Sequence, residues 1–224
     1  MKIMVIYGNP KQGGFVHGCL DHVAKQLEQN GAVVDRLRLT EADICDCAGC
    51  FTCLRTGTCA INDGMAPIIG RMRSVDGFVT GASVRNGFFP ALYKRFLERI
   101  CYILGFGREL RGKPVLAIGA VGKASGKKAL GGVLAFSGFQ TIVTDYLFFR
   151  TNIPTHLKPQ DVADRLDAAA RRLHDAISSG IQRSFLARLS GAVDDFVVRR
   201  FMLRPNPDHV YDYIIGQWRK KGML

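Results

Sequence analysis

The chain has 224 residues, 47% apolar and 22% charged, an ordinary globular composition with enough length for one large core. No stretch approaches the roughly 20 apolar residues that cross a bilayer, and the apolar start at residues 1–7 is too short for a signal-peptide core, so a cytoplasmic protein is expected. The net charge of +12 raises the question of an anionic partner, but no recognised DNA- or RNA-binding motif accompanies it, and nucleic acid is not expected.

Taken in chain order, residues 3–7 form a short apolar run ending at Gly8, which reads as a buried strand. After a Gly-rich turn, Val16, Leu20, Val23, Ala24 and Leu27 recur at helical spacing until Asn30-Gly31 stops them. Residues 33–39 alternate as a second strand. A cysteine-rich loop follows, then a short helix over about 65–72 and a third strand over 77–81. The spacing of Leu92, Phe96, Leu97, Ile100 and Leu104 predicts an amphipathic helix over 90–104. A fourth strand at 115–119, a helix over 127–136, a fifth strand at 141–148 and a long helix over 160–178 complete the series.

Strands alternating with helices require a parallel sheet covered on both faces. Five strands fit the flavodoxin-like doubly wound α/β order 2-1-3-4-5, with a ligand site beyond the strands' C-terminal ends at the β1/β3 switch point. Residues 1–180 form this domain, and 181–224 form a helical C-terminal extension. In the extension, Ile181, Phe185, Leu189, Val193, Phe196, Val197 and Phe201 make an apolar stripe amid arginines. Packing on its own domain, a dimer arm and a membrane-surface helix are the readings of that stripe, the last being the least favoured.

Charge is unevenly placed. Acids and bases balance over residues 1–84 and 129–180, whereas residues 85–128 carry ten basic against two acidic side chains and 181–224 carry eight against four. A solvated basic face explains this, and so does a surface for an anion such as a cofactor phosphate, NAD(P)H or an acidic protein.

Four of the seven cysteines lie in residues 47–59 as C-x2-C-x2-C-x5-C: Cys47, Cys50, Cys53 and Cys59. Three thiols at two-residue gaps wrap a loop around one point, as a [4Fe-4S] cluster needs. Zinc sites usually pair two knuckles separated by a longer stretch, so zinc ranks behind the cluster, beside unmetallated redox thiols. Cys19 and Cys101 read as small core residues and Cys45 as a spare thiol. The five histidines show no pattern of carboxylate partners, although His17 falls near the Gly-rich turn, and no catalytic acid or base is expected.

Gly8-Asn9-Pro10-Lys11-Gln12-Gly13-Gly14 joins the first strand to the first helix as an anion cradle of backbone N–H groups. It lacks the G-x-G-x-x-G fingerprint, and residues 121–128 miss the P-loop pattern at both ends.

With Tyr7–Gly14, the cysteine run followed by Asn62-Asp63-Gly64-Met65, and Ser83–Phe89 leading into Tyr93-Lys94-Arg95-Phe96, residues 1–150 resemble the flavodoxin-like NAD(P)H-dependent FMN reductases, specifically their iron–sulfur flavoprotein subgroup. The resemblance implies an FMN-dependent oxidoreductase. Asn9, Lys11, Gln12 and Gly14, Phe15 and Val16 would hold the FMN phosphate. Ser83, Val84, Arg85, Asn86, Gly87 and Phe88 would flank the isoalloxazine ring, and Ala120, Val121 and Gly122 would touch its polar edge. Two departures stand out. The family commonly has Asn-Thr where Phe15-Val16 stand, and an aromatic where Arg85 stands. The resemblance also implies a homo-oligomer, in which a neighbouring subunit brings cluster and flavin together. NAD(P)H or an acidic donor such as ferredoxin is the expected electron source, docking where part of the basic excess of residues 85–128 rims the cofactor mouth. A plain FMN, quinone or nitro/azo reductase without a cluster, and a non-catalytic thiol sensor, are the alternatives.

Overall fold

The computed structural model describes residues 1–121, 127–136, 141–151, 158–180 and 185–224. Strands β1 (Lys2–Tyr7), β2 (Val33–Arg38), β3 (Gly77–Ser83), β4 (Pro114–Val121) and β5 (Ile142–Arg150) form one parallel sheet in the order β2-β1-β3-β4-β5. The expected flavodoxin-like order is the observed one. The strands are apolar on both sides because both faces are covered.

Side chains alternate across each strand, and two cores result. Ile3, Val5, Val79, Leu116 and Ile118 face helices α1 (Phe15–Gln29) and α6 (Pro159–Ser178). Met4, Ile6, Phe78, Val115 and Ala117 face the opposite core, shared by α3 (Met65–Ser74), α4 (Ala91–Arg99) and α5 (Lys127–Leu134).

The helix expected over 90–104 divides. Helix α4 stops at Arg99 and a π-helical turn, Tyr102–Phe106, replaces its end, closed by Gly107 N–H donating to the Tyr102 carbonyl at 2.7 Å. Such widened turns recur at functional sites. A five-residue helix inside the cysteine run, α2 (Thr52–Thr56), is an element the sequence pattern did not reveal.

The C-terminal region is helical: α7 (Phe185–Val197), a π-helical turn (Val198–Leu203) and α8 (Asp212–Lys220). Val198, Leu203, Ile214 and Trp218 enter the same core as α3 and α4. Trp218 is fully buried and its Nε1–H donates to the Phe106 carbonyl at 2.6 Å. Leu189, Val193, Phe196 and Phe201 remain exposed. No described helix is long and apolar enough to cross a membrane.

Candidate functional site

Because the strands are parallel, the ends of β1, β3 and β4 deliver their loops to one edge. Gly8 begins the first loop and donates to the Gly81 carbonyl at 2.8 Å. A Cβ on Gly8 would stand 2.6 Å from the Tyr93 ring and 2.9 Å from that carbonyl, so glycine is required there. Asn9 is buried and both ends of its amide engage Ser83. Its Nδ2 donates to Ser83 Oγ at 2.8 Å, and its Oδ1 accepts from the Ser83 N–H at 2.8 Å. Asn9 thereby staples the first loop to the second.

Lys11 and Gln12 are exposed beyond it, and Gly13 turns the chain at φ +71° into Gly14, which precedes α1. The helix opens without a side-chain cap and without an acid in its first turn, leaving its leading N–H groups and positive dipole end for an anion. Val16 is buried, so only its backbone can serve that anion, while Phe15 is exposed and packs edge-on against Phe149 with centroids 5.3 Å apart.

The second loop is a hairpin turn. Arg85 and Phe88 exchange both backbone hydrogen bonds, at 2.7 and 3.0 Å, around Asn86 at φ +47° and Gly87 at φ +85°. Asn-Gly is the pair that such a turn demands, so this signal was present in the sequence. Arg85 and Phe88 stand exposed, with Phe88 stacked toward Phe89 and Phe89 toward Tyr93. Val84 N–H donates to the Ala120 carbonyl at 2.7 Å, tying the second loop to the end of β4. Ala120 and Val121 are buried there, and Gly122 lies outside the described residues. These loops offer backbone donors, a free helix N-terminus, a lysine and an exposed aromatic turn, a donor set that fits a phosphorylated flavin.

Beneath the first loop, the histidines depart from expectation. His17 Nδ1 lies 3.0 Å from Asp21 Oδ2, and Tyr7 OH donates to Asp21 Oδ1 at 2.7 Å. The one-turn spacing of His17 and Asp21 made that pair readable. His22 Nε2 meets Asp167 at 2.6 Å, a contact between α1 and α6 that only the fold creates. Burial, followed by the bond to Asp21, pushes the Tyr7 phenol well above its usual range.

The cysteines occupy a separate corner. Cys45, Cys47 and Cys50 are exposed, and Cys53 and Cys59 are half-buried. Gly49 (φ +65°), Phe51 (φ +57°) and Gly57 (φ +80°) turn the loop tightly. Helix α8 lies against α2, and Tyr213 seals Gly57 so closely that a Cβ there would sit 2.3 Å from the ring. Cys50 Sγ is 3.3 Å from Thr52 Oγ1, and that hydroxyl holds the Cys50 thiol below its usual range. Burial, and then the neighbouring Cys101, Cys59, Cys47 and Cys50 sulfurs, push Cys53 up to about 12. Cys101 is therefore not the plain core residue expected. It is half-buried at the start of the π-helical turn, within electrostatic reach of Cys47 and Cys59, whereas Cys19 is a core residue as read.

Two residues that sequence reasoning did not single out for this corner hold it together. Arg99 and Asp63 are both buried, and Arg99 grips the carboxylate with two donors, Nη1 to Oδ2 at 2.5 Å and Nη2 to Oδ1 at 2.9 Å. Asp63 also accepts from the Cys45 N–H at 2.8 Å and the Met65 N–H at 3.1 Å. The Arg99 hydrogen bonds hold its carboxyl down to about 2. Arg99 Nη1 reaches the Cys45 carbonyl at 2.8 Å and Nη2 reaches Cys59 Sγ at 3.4 Å, while its Nε is buried with no partner. Four soft thiol donors beside a buried cation suit an anionic thiolate-ligated metal group. Among the described residues no three such side chains stand close enough together to hold a single metal ion.

Of the basic residues in 85–128, those described between 85 and 113 divide among several places. Arg95 and Arg99 turn to Asp46 and Asp63 at the cysteine corner. Arg108 and Arg111, which precede β4 and so lie at the opposite edge of the sheet, pair with Asp194 and Asp195. Lys113, at that same edge, donates to the carbonyls of Arg73 and Val75. The C-terminal acids draw Arg108 and Arg111 away, contacts over some 80 residues that no local pattern displays. Arg85 does stand in the mouth.

Fold and strand order together define a flavodoxin-like protein. Residues 1–150 match the family described as NADPH-dependent FMN reductase, and the chain belongs to it. Among curated relatives, an iron-sulfur flavoprotein of Methanosarcina thermophila is 26% identical over 126 residues, covering 56% of this chain and 66% of the relative. An iron-sulfur flavoprotein of Archaeoglobus fulgidus is 30% identical over 128 residues, covering 55% and 57%. The chain thus spans less than two thirds of the length of these relatives. Among solved structures, a flavone reductase superposes with a TM-score of 0.61 at 18% identity, over 80% of this chain and 63% of that one. An archaeal flavodoxin gives 0.54 at 11%, over 80% and 99%, and these two likenesses concern the fold.

Proposed function

We propose that the chain is an FMN-dependent oxidoreductase that moves electrons between a one-electron centre on Cys47, Cys50, Cys53 and Cys59 and a flavin at the mouth. The observation that carries this reading is the uncapped, acid-free N-terminus of α1 behind Gly13-Gly14, facing the edge where the Asn9–Ser83 staple joins the two flavin loops. Backbone N–H groups of residues 14–16 and Lys11 would hold the flavin phosphate, and residues 83–88 and 120–122 would border its ring. FMN, when bound, bridges one- and two-electron chemistry. The residues bind and orient it, and the exposed Phe88 ring, backed by Phe89, offers it an aromatic edge. A [4Fe-4S] cluster on the four thiols fits the relatives' description and the soft donor set.

NAD(P)H or an acidic carrier such as ferredoxin would supply electrons, approaching Arg85. Rates that ignore ionic strength would count against that docking. The exposed stripe of Leu189, Val193, Phe196 and Phe201 suits a second copy of the chain, and light scattering on Phe196→Asp reads whether assembly is lost. The cytoplasm is the matching compartment for clustered, unpaired thiols.

The test is the cofactor content of anaerobically purified protein. FMN with about four irons per chain supports the reading. Flavin without iron leaves a plain reductase, and neither cofactor leaves a thiol sensor.

A further inference from the structure

Arg99 is unusual for an arginine in being almost wholly buried, with 1% of its side chain exposed. Its charge is matched by Asp63, yet the match does not exhaust it. The same guanidinium reaches the Cys45 carbonyl at 2.8 Å and Cys59 Sγ at 3.4 Å, and Nε remains without a partner. A buried arginine serving only as a staple needs the carboxylate and nothing more. Here the fork touches both ends of the cysteine segment, so residues 45, 59 and 63 are drawn onto α4 together. Lysine cannot do this, because a single ammonium cannot present two fixed donors to Asp63 and one to sulfur at once.

We propose that Arg99 is the positioning residue of the cysteine corner, holding Cys59 for ligation and keeping an N–H···S hydrogen bond on its sulfur. This rests on the reading that the four thiols carry an iron–sulfur cluster. One-electron reduction by an external donor adds one negative charge to a thiolate-ligated cluster. A hydrogen-bond donor at a ligand sulfur stabilises that added charge and raises the reduction potential. Asp63 offsets the net charge of Arg99 but leaves the N–H···S bond in place. The Asp63-Gly64-Met65 turn therefore acts with the cysteine run: its carboxylate aims Arg99, and its two backbone bonds hold residues 45 and 65 in place.

Two variants and two readouts test this. Arg99→Lys retains a cation for Asp63 and loses the bond to sulfur. Arg99→Gln/Asp63→Asn leaves a neutral pair and avoids a stranded buried charge. Titration with dithionite reads the cluster potential. Arg99→Lys is expected to keep its iron and to shift the reduction equilibrium about tenfold against the reduced state, about 59 mV more negative for one electron. Amide hydrogen exchange on the as-purified chains, with or without iron, reads the clamp. Faster exchange at Cys45 and Met65 is expected in the double variant, with exchange in β1 and β3 unchanged. An iron-loaded Arg99→Lys with an unaltered potential overturns the proposal, and so does unaltered exchange at Cys45 and Met65. Loss of iron from either variant supports it when exchange at those two amides rises, and counts against it when exchange stays at the wild-type rate. Wild-type protein without iron defeats the cluster reading instead, while the exchange comparison still decides the clamp.

Discussion

The proposed flavin mouth and the cysteine corner lie at the ends of neighbouring strands, and they are held in different ways. At the mouth the work is done by backbone. Gly8 bonds to Gly81, Val84 to Ala120 and Arg85 to Phe88, and one buried side chain, Asn9, completes the set. At the corner the backbone has little regular structure between Thr40 and Phe51, and side chains from distant elements hold it: Arg99 from α4, Asp63 before α3 and Tyr213 from α8. A site built on strand ends is fixed by topology. A loop that has to gather four thiols needs support from outside itself.

That contrast can be broken most severely through the C-terminal helix. Trp218→Ala removes a fully buried indole and its bond to Phe106, and should cost about 3–5 kcal/mol of unfolding free energy in a denaturant titration. Because α8 lies on α2, iron retention should suffer more than flavin retention. Equal loss of both would mean that the two regions are not independent. Gly57→Ala comes next, since it places a methyl against Tyr213 at a left-handed position. About 2–4 kcal/mol and poorer iron incorporation are expected, with FMN affinity preserved as measured by fluorescence quenching.

Acid offers a third probe. Asp63 is held at about 2, below the 3.8 of an unperturbed carboxyl. A lowered folded-state value stabilises above the unfolded one, so the contribution is complete above about pH 4 and is lost as pH falls toward 2. It amounts to on the order of 2 kcal/mol, and Asp63→Asn should flatten the stability profile of the iron-free chain in that window. A comparable effect is expected at the mouth. Asn9→Ala should cost about 1–3 kcal/mol and weaken FMN binding without changing iron content.

The same contrast explains what the sequence disclosed. Strand order, the Gly-rich cradle and the clustering of the thiols are local patterns, written as apolar runs at Ile3–Tyr7 and Gly77–Gly81, as Gly13-Gly14 and as two-residue cysteine gaps. The Asn86-Gly87 turn and the His17–Asp21 pair were also legible, one as a turn dipeptide and the other as a one-turn spacing. The Arg99–Asp63 pair, the approach of Cys101 and the cover of Tyr213 were not, because each joins residues that only the folded chain brings together. Where the rest of the basic excess goes was hidden for a related reason. Charge counted along a segment says nothing of the acids that Arg108 and Arg111 meet in space, and Asp194 and Asp195 lie on another helix.

The central claim is that the chain holds two separable redox sites, a flavin mouth and a thiol corner. Measuring FMN and iron in the same anaerobic preparation of Cys50→Ala tests it most directly. The account predicts wild-type FMN content with iron reduced to background. Iron retained at the wild-type level, or FMN lost together with iron, would contradict it.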